Sequence, residues 1–284
     1  MAEQSTRPRG AFVALRIGLP VLLVVAAGYA YLQSDGADPE AAGAARAAPV
    51  RTGPPVGTPV LPDLSPQPPI DVHTKKSKSD TWTIEFSSTL VNVGREEFLL
   101  HGTREGDDWT VEQDIPYSTS GVKPTPVKAR MVWGGDGHNH WHIGRVATYR
   151  LLRLDEDGRV AEGDRGRVDT KIGFCFFDFH RELDRGPEER VHNRHSCGKI
   201  GDREVRMGLS PGWGDTYEWI LPGQSIDIEG LPDGAYRLRA EADETGMFHE
   251  VTRENNVTWV DLDLFMGEDG TRRAVVTDVG PVPR

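Results

Sequence analysis

Several familiar signatures are missing from this chain. It has no GxxxxGK[ST] phosphate loop, no GxGxxG, no HExxH and no internal repeat. The usual marks of nucleotide handling, dinucleotide binding and helical zinc proteolysis are therefore absent. Lysine is scarce, with 7 residues against 26 arginines, so any lysine outside an exposed cluster needs a reason. Cysteine is scarcer still: only Cys175 and Cys197 occur. With a net charge of −11 there is no broad basic surface, which argues against a nucleic-acid partner and suits a cationic substrate. Beyond the N-terminal stretch no segment longer than about ten residues holds a 3.6-residue period, which excludes a helical bundle.

What is present begins with a compartment signal. Arg7, Arg9 and Arg16 precede or enter the apolar stretch Ala11 to Leu32, and the last 16 residues of that stretch, from Ile17, carry no charge. Residues 1–32 read as a signal sequence, with Gly28 and Ala30 as small residues before a cleavage point, or as an uncleaved hydrophobic helix anchoring the chain in a membrane. Both readings export the remainder. Residues 33–60 are rich in Ala, Gly and Pro and cannot bury enough apolar surface to offset their ordering entropy, so a disordered, flexible linker is expected. In an oxidising compartment Cys175 and Cys197 are expected to form one disulfide, which chain entropy values at about 3 kcal/mol; two buried free thiols are the alternative.

The folded domain is expected over residues 61–268, with 269–284 as a C-terminal tail. WTIEFSSTLVNVG, from Trp82, alternates Ile84, Phe86, Ser88 and Leu90 against polar neighbours and ends in a turn at Asn92 to Gly94. ARMVW, ATYRLLRLD, TKIGFCFFDF, QSIDI, AYRLRAEAD and VTWVDLDLF continue the pattern, with DEDGRVAEGD and LPDGAY as turns. RELDRGPEERVHNRH has room for a short helical turn. The pattern predicts an all-β fold, a β-sandwich with long loops.

GGDGHNHWHIG places His138, His140 and His142 two residues apart in a chain of nine histidines. On a strand this spacing sends all three imidazoles to one face, with Asn139 and Trp141 on the other. The outer Cα atoms would lie about 13 Å apart. Each imidazole reaches a metal roughly 6.5 Å from its Cα, so a bent strand lets all three converge. All-imidazole ligation suits copper or zinc, and copper(II) binds more tightly. His192 and His195 form a weaker pair, read as a further ligand or a wet loop. His73, His101, His180 and His249 read as surface or satisfied core residues.

Read in order, HNHWH, VAEG, KIGFC, GLSPGWGDTY, an Ile-Asp-Ile strand, PDGAYRL and ENNV resemble the catalytic domain of the lysyl oxidase family across about residues 61 to 265. That resemblance implies an immunoglobulin-like β-sandwich and a copper-dependent amine oxidase with a lysine tyrosylquinone built from its own side chains. His138, His140 and His142 match the family's copper triad. Lys171, in KIGFC, matches the quinone lysine, and Tyr217, closing GLSPGWGDTY, matches the quinone tyrosine, so a covalent link would span 46 positions. From the residues alone, Lys171 between apolar neighbours is a candidate for burial and a lowered pKa, or for a snorkelling surface lysine.

Asp215, two residues before Tyr217, is assigned as the general base that takes the α-proton of an amine substrate, with a turn or cap role as its alternative. The resemblance further implies a calcium site using Asp63 and Leu64 with Glu250, Asn255 and Asn256, hard oxygen ligands of the kind calcium prefers. Thr252 stands there where an aspartate is expected. Two departures from relatives are visible: Gly137 replaces a cysteine beside the histidines, and RVATYRLL lacks a further histidine. The implied activity is that of an exported enzyme turning primary amines, lysine or peptidyl lysine, into aldehydes with dioxygen, releasing ammonia and hydrogen peroxide. A non-catalytic extracytoplasmic copper-binding protein is the alternative. No nucleic acid is implied, and membrane contact would run only through the N-terminal segment.

Overall fold

The computed structural model describes residues 53–134, 139–168 and 173–284. The expected signal or anchor segment, most of the linker, His138 and Lys171 lie outside these residues. The described residues belong to one compact unit. Among the described residues no helix is long and apolar enough to cross a membrane.

Backbone pairing starts inside the stretch read as linker, where Val56 bridges to Ser120 and Pro59 to Tyr117. β1 (Leu64–Pro66) and β2 (Ile70–Lys76) both pair antiparallel with the long β3 (Trp82–Asn92). β4 (Phe98–Glu105), β5 (Asp108–Pro116) and β6 (Val122–Val127) form a meander, and β7 (Met131–Trp133) pairs with β8 (Trp141–Gly144). β9 (Ala147–Arg153) follows, then three two-residue strands: β10 (Arg167–Val168), β11 (Gly173–Phe174) and β12 (His180–Arg181). A 3-10 turn at Arg194–Cys197 supplies the short helical element, capped by Asn193, whose side chain accepts the His195 N–H. β13 (Glu204–Leu209) adds to β4, completing a four-stranded sheet, and β14 (Trp213–Tyr217) pairs with β3 and β12. β15 (Ser225–Asp227) joins β3, so that β1, β2, β3, β12, β14 and β15 make a six-stranded sheet. β16 (Gly234–Ala242), β17 (Val257–Met266) and β18 (Arg272–Val279) complete a five-stranded sheet in the order β10-β9-β16-β17-β18. The described residues are thus almost entirely β, as the alternation predicts. β18 draws the stretch read as a C-terminal tail into that sheet as its edge strand.

β16 shows why these sequences become strands. Tyr236, Leu238, Ala240 and Ala242 are buried while Arg237, Arg239 and Glu241 between them reach toward water. One face of this sheet therefore carries the core and the other is solvated. β3 departs from the expected alternation: from Phe86 to Asn92 every residue is buried. Its polar side chains tolerate this because each is hydrogen-bonded, Ser87 to Asp71, Thr89 to Thr216, and Asn92 to the backbone of Glu96 and Leu209.

Candidate active site

Two short strands frame the site. All four residues of β8 are buried, and β11 lies along the edge of β8 opposite β7, with Gly173 facing Gly144 and Phe174 facing Ile143. Gly173 permits this approach, because a Cβ there would lie 2.3 Å from the Ile143 carbonyl oxygen. The backbone just past position 171 is therefore held against the histidine strand.

The structure alters the expected histidine strand. β8 begins only at Trp141, and His140 sits in the bend before it, its carbonyl accepting the Gly134 N–H at 3.1 Å. The imidazoles of His140 and His142 nevertheless fall side by side, with ring centroids 4.6 Å apart. Trp141 points the other way, between Trp133 at 5.3 Å and Trp109 at 4.8 Å, and donates its indole N–H to the Lys199 carbonyl at 2.9 Å.

Tyr217 ends β14 and is buried, with its ring 6.2 Å from that of His142 and 4.9 Å from Phe174 in an edge-to-face contact. Its hydroxyl accepts the backbone N–H of Cys175 at 2.9 Å. Asp215, fully buried two residues earlier on β14, shares its face of the strand. The expected disulfide is present between Cys175 and Cys197, with Cα atoms 5.7 Å apart. Among the described residues no three His, Cys, Asp or Glu side chains gather to hold an ion. The donor set of two adjacent imidazoles, His142 buried and His140 half-buried, still fits a nitrogen-loving metal such as copper(II), with His138 as the third histidine of the motif.

The residues expected to hold calcium do come together. The Leu64 N–H donates to Glu250 Oε2 at 2.8 Å, and Asn256 Nδ2 donates to Glu250 Oε1 at 3.1 Å. Asn255 Nδ2 donates to Asp63 Oδ2 at 3.1 Å. Three further oxygens here, Asp63 Oδ1, Asn255 Oδ1 and Asn256 Oδ1, are buried with no hydrogen-bond donor among the described residues. Burial pushes the Glu250 carboxyl up to about 7, against the pull of the Leu64 N–H and Asn256, and burial likewise raises Asp63. Undonated hard oxygens and carboxylates costly to ionise fit a divalent oxygen-loving cation. Thr252, in the aspartate's place, uses its hydroxyl locally to accept the Glu254 N–H.

Other histidines stand apart from this arrangement. His192 is largely buried, its Nε2 4.0 Å from a Glu97 carboxylate oxygen, and burial holds its pKa below the usual value. His195 is exposed. His73 packs edge-on against Trp219 at 4.5 Å.

Two positioning groups escaped the sequence reading. Gln224, buried after β14, donates from Nε2 to the Tyr217 carbonyl at 2.8 Å and to Ser88 Oγ at 2.6 Å. Asp178, fully buried, accepts the N–H groups of Val191, His192 and Ser210 and the Ser210 hydroxyl, tying the segment after Cys175 to the turn that starts β14. An aspartate inside the apolar run FCFFDF was the available signal, since a buried carboxylate demands partners.

An all-β frame that buries an imidazole beside a phenol, with a carboxylate on the phenol's strand face, defines a β protein built around a chemical site. The chain belongs to the lysyl oxidase family, whose model matches residues 112–271. It is 31% identical over 139 residues to the protein-lysine 6-oxidase of Homo sapiens, covering 48% of this chain and 29% of that one. Over 134 residues it is 31% identical to the protein-lysine 6-oxidase of Sus scrofa, covering 46% and 47%. The Gallus gallus counterpart is 29% identical over 139 residues, covering 48% and 29%. The match thus spans less than half the length of these relatives.

Proposed function

We propose that the chain is an exported copper amine oxidase that converts primary amines, lysine or peptidyl lysine, to aldehydes with release of ammonia and hydrogen peroxide. The observation that carries this reading is the His142 ring beside Tyr217, with the His140 ring next to that of His142 and the backbone just past Lys171 registered on the strand of His142. His138, His140 and His142 would hold the copper ion, and the amine of Lys171 would cross-link to the ring of Tyr217. Copper and the resulting lysine tyrosylquinone would supply the redox chemistry with dioxygen and the electrophilic carbonyl that an amine requires. Asp215, buried on the face of Tyr217, would take the α-proton of the bound amine, while Phe174 and the apolar floor around it exclude water.

The immunoglobulin-like sandwich arrangement belongs to the same proposal, supported by the five-stranded sheet with one buried face. Export through the N-terminal segment is supported by the disulfide, since such bonds persist in oxidising compartments. A calcium ion at Asp63, Leu64, Glu250, Asn255 and Asn256 is supported by the undonated oxygens there. The test is peptide mapping of the copper-loaded, aerated protein. A single cross-linked peptide containing Lys171 and Tyr217, with quinone absorbance and peroxide release on adding a primary amine, is expected. Recovery of the two residues in separate unmodified peptides would leave only a copper-binding protein and end the oxidase reading.

A further inference from the structure

We propose that the Cys175–Cys197 bridge is a positioning device, which holds Tyr217 and the histidine strand at their working separation until Lys171 and Tyr217 are joined. The inference rests on the function proposed above. It starts from the partner of the Tyr217 hydroxyl: a backbone amide, that of Cys175, at 2.9 Å in a buried setting. β11 ends at Phe174, so this amide serves no strand ladder and its place depends on what holds Cys175. The flanking backbone is anchored by Phe174 in the ladder with β8 and by the Phe176 carbonyl, which accepts the Gly208 N–H at 3.2 Å, and the disulfide fixes Cys175 itself from a 3-10 turn that closes at Cys197.

The other end of the bridge leads to the histidines. Cys197 is followed by Gly198, in the left-handed region at φ 71°, and then by Lys199. A side chain at Gly198 would collide with Val205 Cγ2 at 2.7 Å, so the turn is pressed onto β13. The Lys199 carbonyl accepts the indole N–H of Trp141, and Trp141 stands between His140 and His142. A continuous path of covalent and hydrogen bonds therefore runs from the phenol of Tyr217, through Cys175, the bridge, Cys197 and Lys199, to Trp141, the neighbour of both His140 and His142.

Such a path has its effect at one stage. Joining side chains 46 positions apart requires that they be held close beforehand, and errors of about 1 Å in such a geometry are costly. Once the Lys171 to Tyr217 link exists, it holds the same parts itself. The bridge should then be dispensable for turnover, although an ordinary staple would support the immature and mature forms alike.

The experiment compares wild-type full-length chain with the double variant Cys175→Ala, Cys197→Ala. In the metal-free proteins, hydrogen exchange of the position-175 amide and of the Trp141 indole N–H is expected to quicken at least about tenfold in the double variant, with β16 and β17 amides unchanged. After copper loading in air, the yield of cross-linked Lys171–Tyr217 peptide at matched times is expected to fall about tenfold or more. Mature wild-type protein is then treated with a dithiol, which delivers two electrons and two protons to the bridge while closing into its own disulfide. After the reagent is removed, turnover is expected to stay within about twofold.

Unchanged exchange at both groups, a normal cross-link yield in the double variant, or lost turnover in the reduced mature enzyme would each overturn the proposal. Should the double variant lose β16 and β17 protection, Tyr217→Phe in the bridged protein decides instead. It must free the Cys175 amide while leaving the Trp141 indole protected, and no change at Cys175 sinks the proposal. A wild-type chain that yields no cross-linked peptide overturns the proposed function, and the exchange data still judge the bridge.

Discussion

Gln224 offers a sharp test of how Tyr217 is held. Its Nε2 group makes two short hydrogen bonds, to Ser88 Oγ at 2.6 Å and to the Tyr217 carbonyl at 2.8 Å, and a longer one to the Phe86 carbonyl at 3.4 Å. Its Oε1 is buried with no donor among the described residues. Gln224→Met keeps the unbranched shape and nearly the volume, so the packing change is small. The two short bonds contribute about 1 kcal/mol each, a carbonyl left undonated costs about 1 kcal/mol more, and removing Oε1 relieves about 1 kcal/mol, for a net loss of roughly 2 kcal/mol. Gln224→Glu keeps the shape but turns oxygens toward three acceptors. The carboxyl must stay protonated in that setting, so its pKa rises above the unfolded value and the variant weakens further as pH climbs. Urea unfolding followed by tryptophan fluorescence at pH 5 and pH 8 is the assay. The Glu variant is expected to be less stable than the Met variant at pH 8, by about 2 kcal/mol or more, with the gap narrowing at pH 5. A Glu variant as stable as Met at pH 8 would refute the donor assignment.

Three further outcomes follow from the same structure. Gly173→Ala puts a Cβ against the Ile143 carbonyl, so β11 must move off β8; a destabilisation of about 1–3 kcal/mol in urea is expected, and wild-type stability would show the approach to be slack. Calcium in about hundredfold excess over its Kd should raise unfolding free energy by roughly 2.7 kcal/mol relative to chelator, and Asn256→Ala should erase most of that gain; a melting curve indifferent to calcium would refute the site. Burial holds the His192 pKa below 6.5, so the unfolded chain takes up the proton first. The neutral ring's contribution is complete above pH 6.5 and is lost as pH falls below it. His192→Leu should flatten the acid limb of the stability profile, and an unaltered slope would show that another group sets it.

Much of this was legible wherever one residue type had a single physical reading. AYRLRAEAD and VTWVDLDLF alternate because one face of their sheet is solvated, and they became β16 and β17. The later half of β3 hid its burial behind Ser87 and Thr89, which read as polar neighbours, and Asn92, which read as the start of a turn; partners far along the chain satisfy them. Strands of two residues, such as β10, β11 and β12, are too short to show a period. The ring of His142 lies near that of Tyr217, and the ring of His140 lies beside that of His142. Gln224 did not announce itself, because its work is hydrogen bonding across the fold, which no local spacing encodes; Asp178 had only its place in an apolar run to mark it.

The cluster of Asp63, Glu250, Asn255 and Asn256 has a kinetic side. Its hydrogen bonds close loops of 192 and 186 positions, joining β1 to the loop before β17. Contacts of such separation form late, since their loop-closure entropy falls due before they contribute anything. β1 must already lie on β3, and β16 on β17, before these oxygens face one another. An ion at the proposed calcium site would act as a latch on a finished structure, slowing the chain's departure from the native state while leaving the speed of its assembly alone.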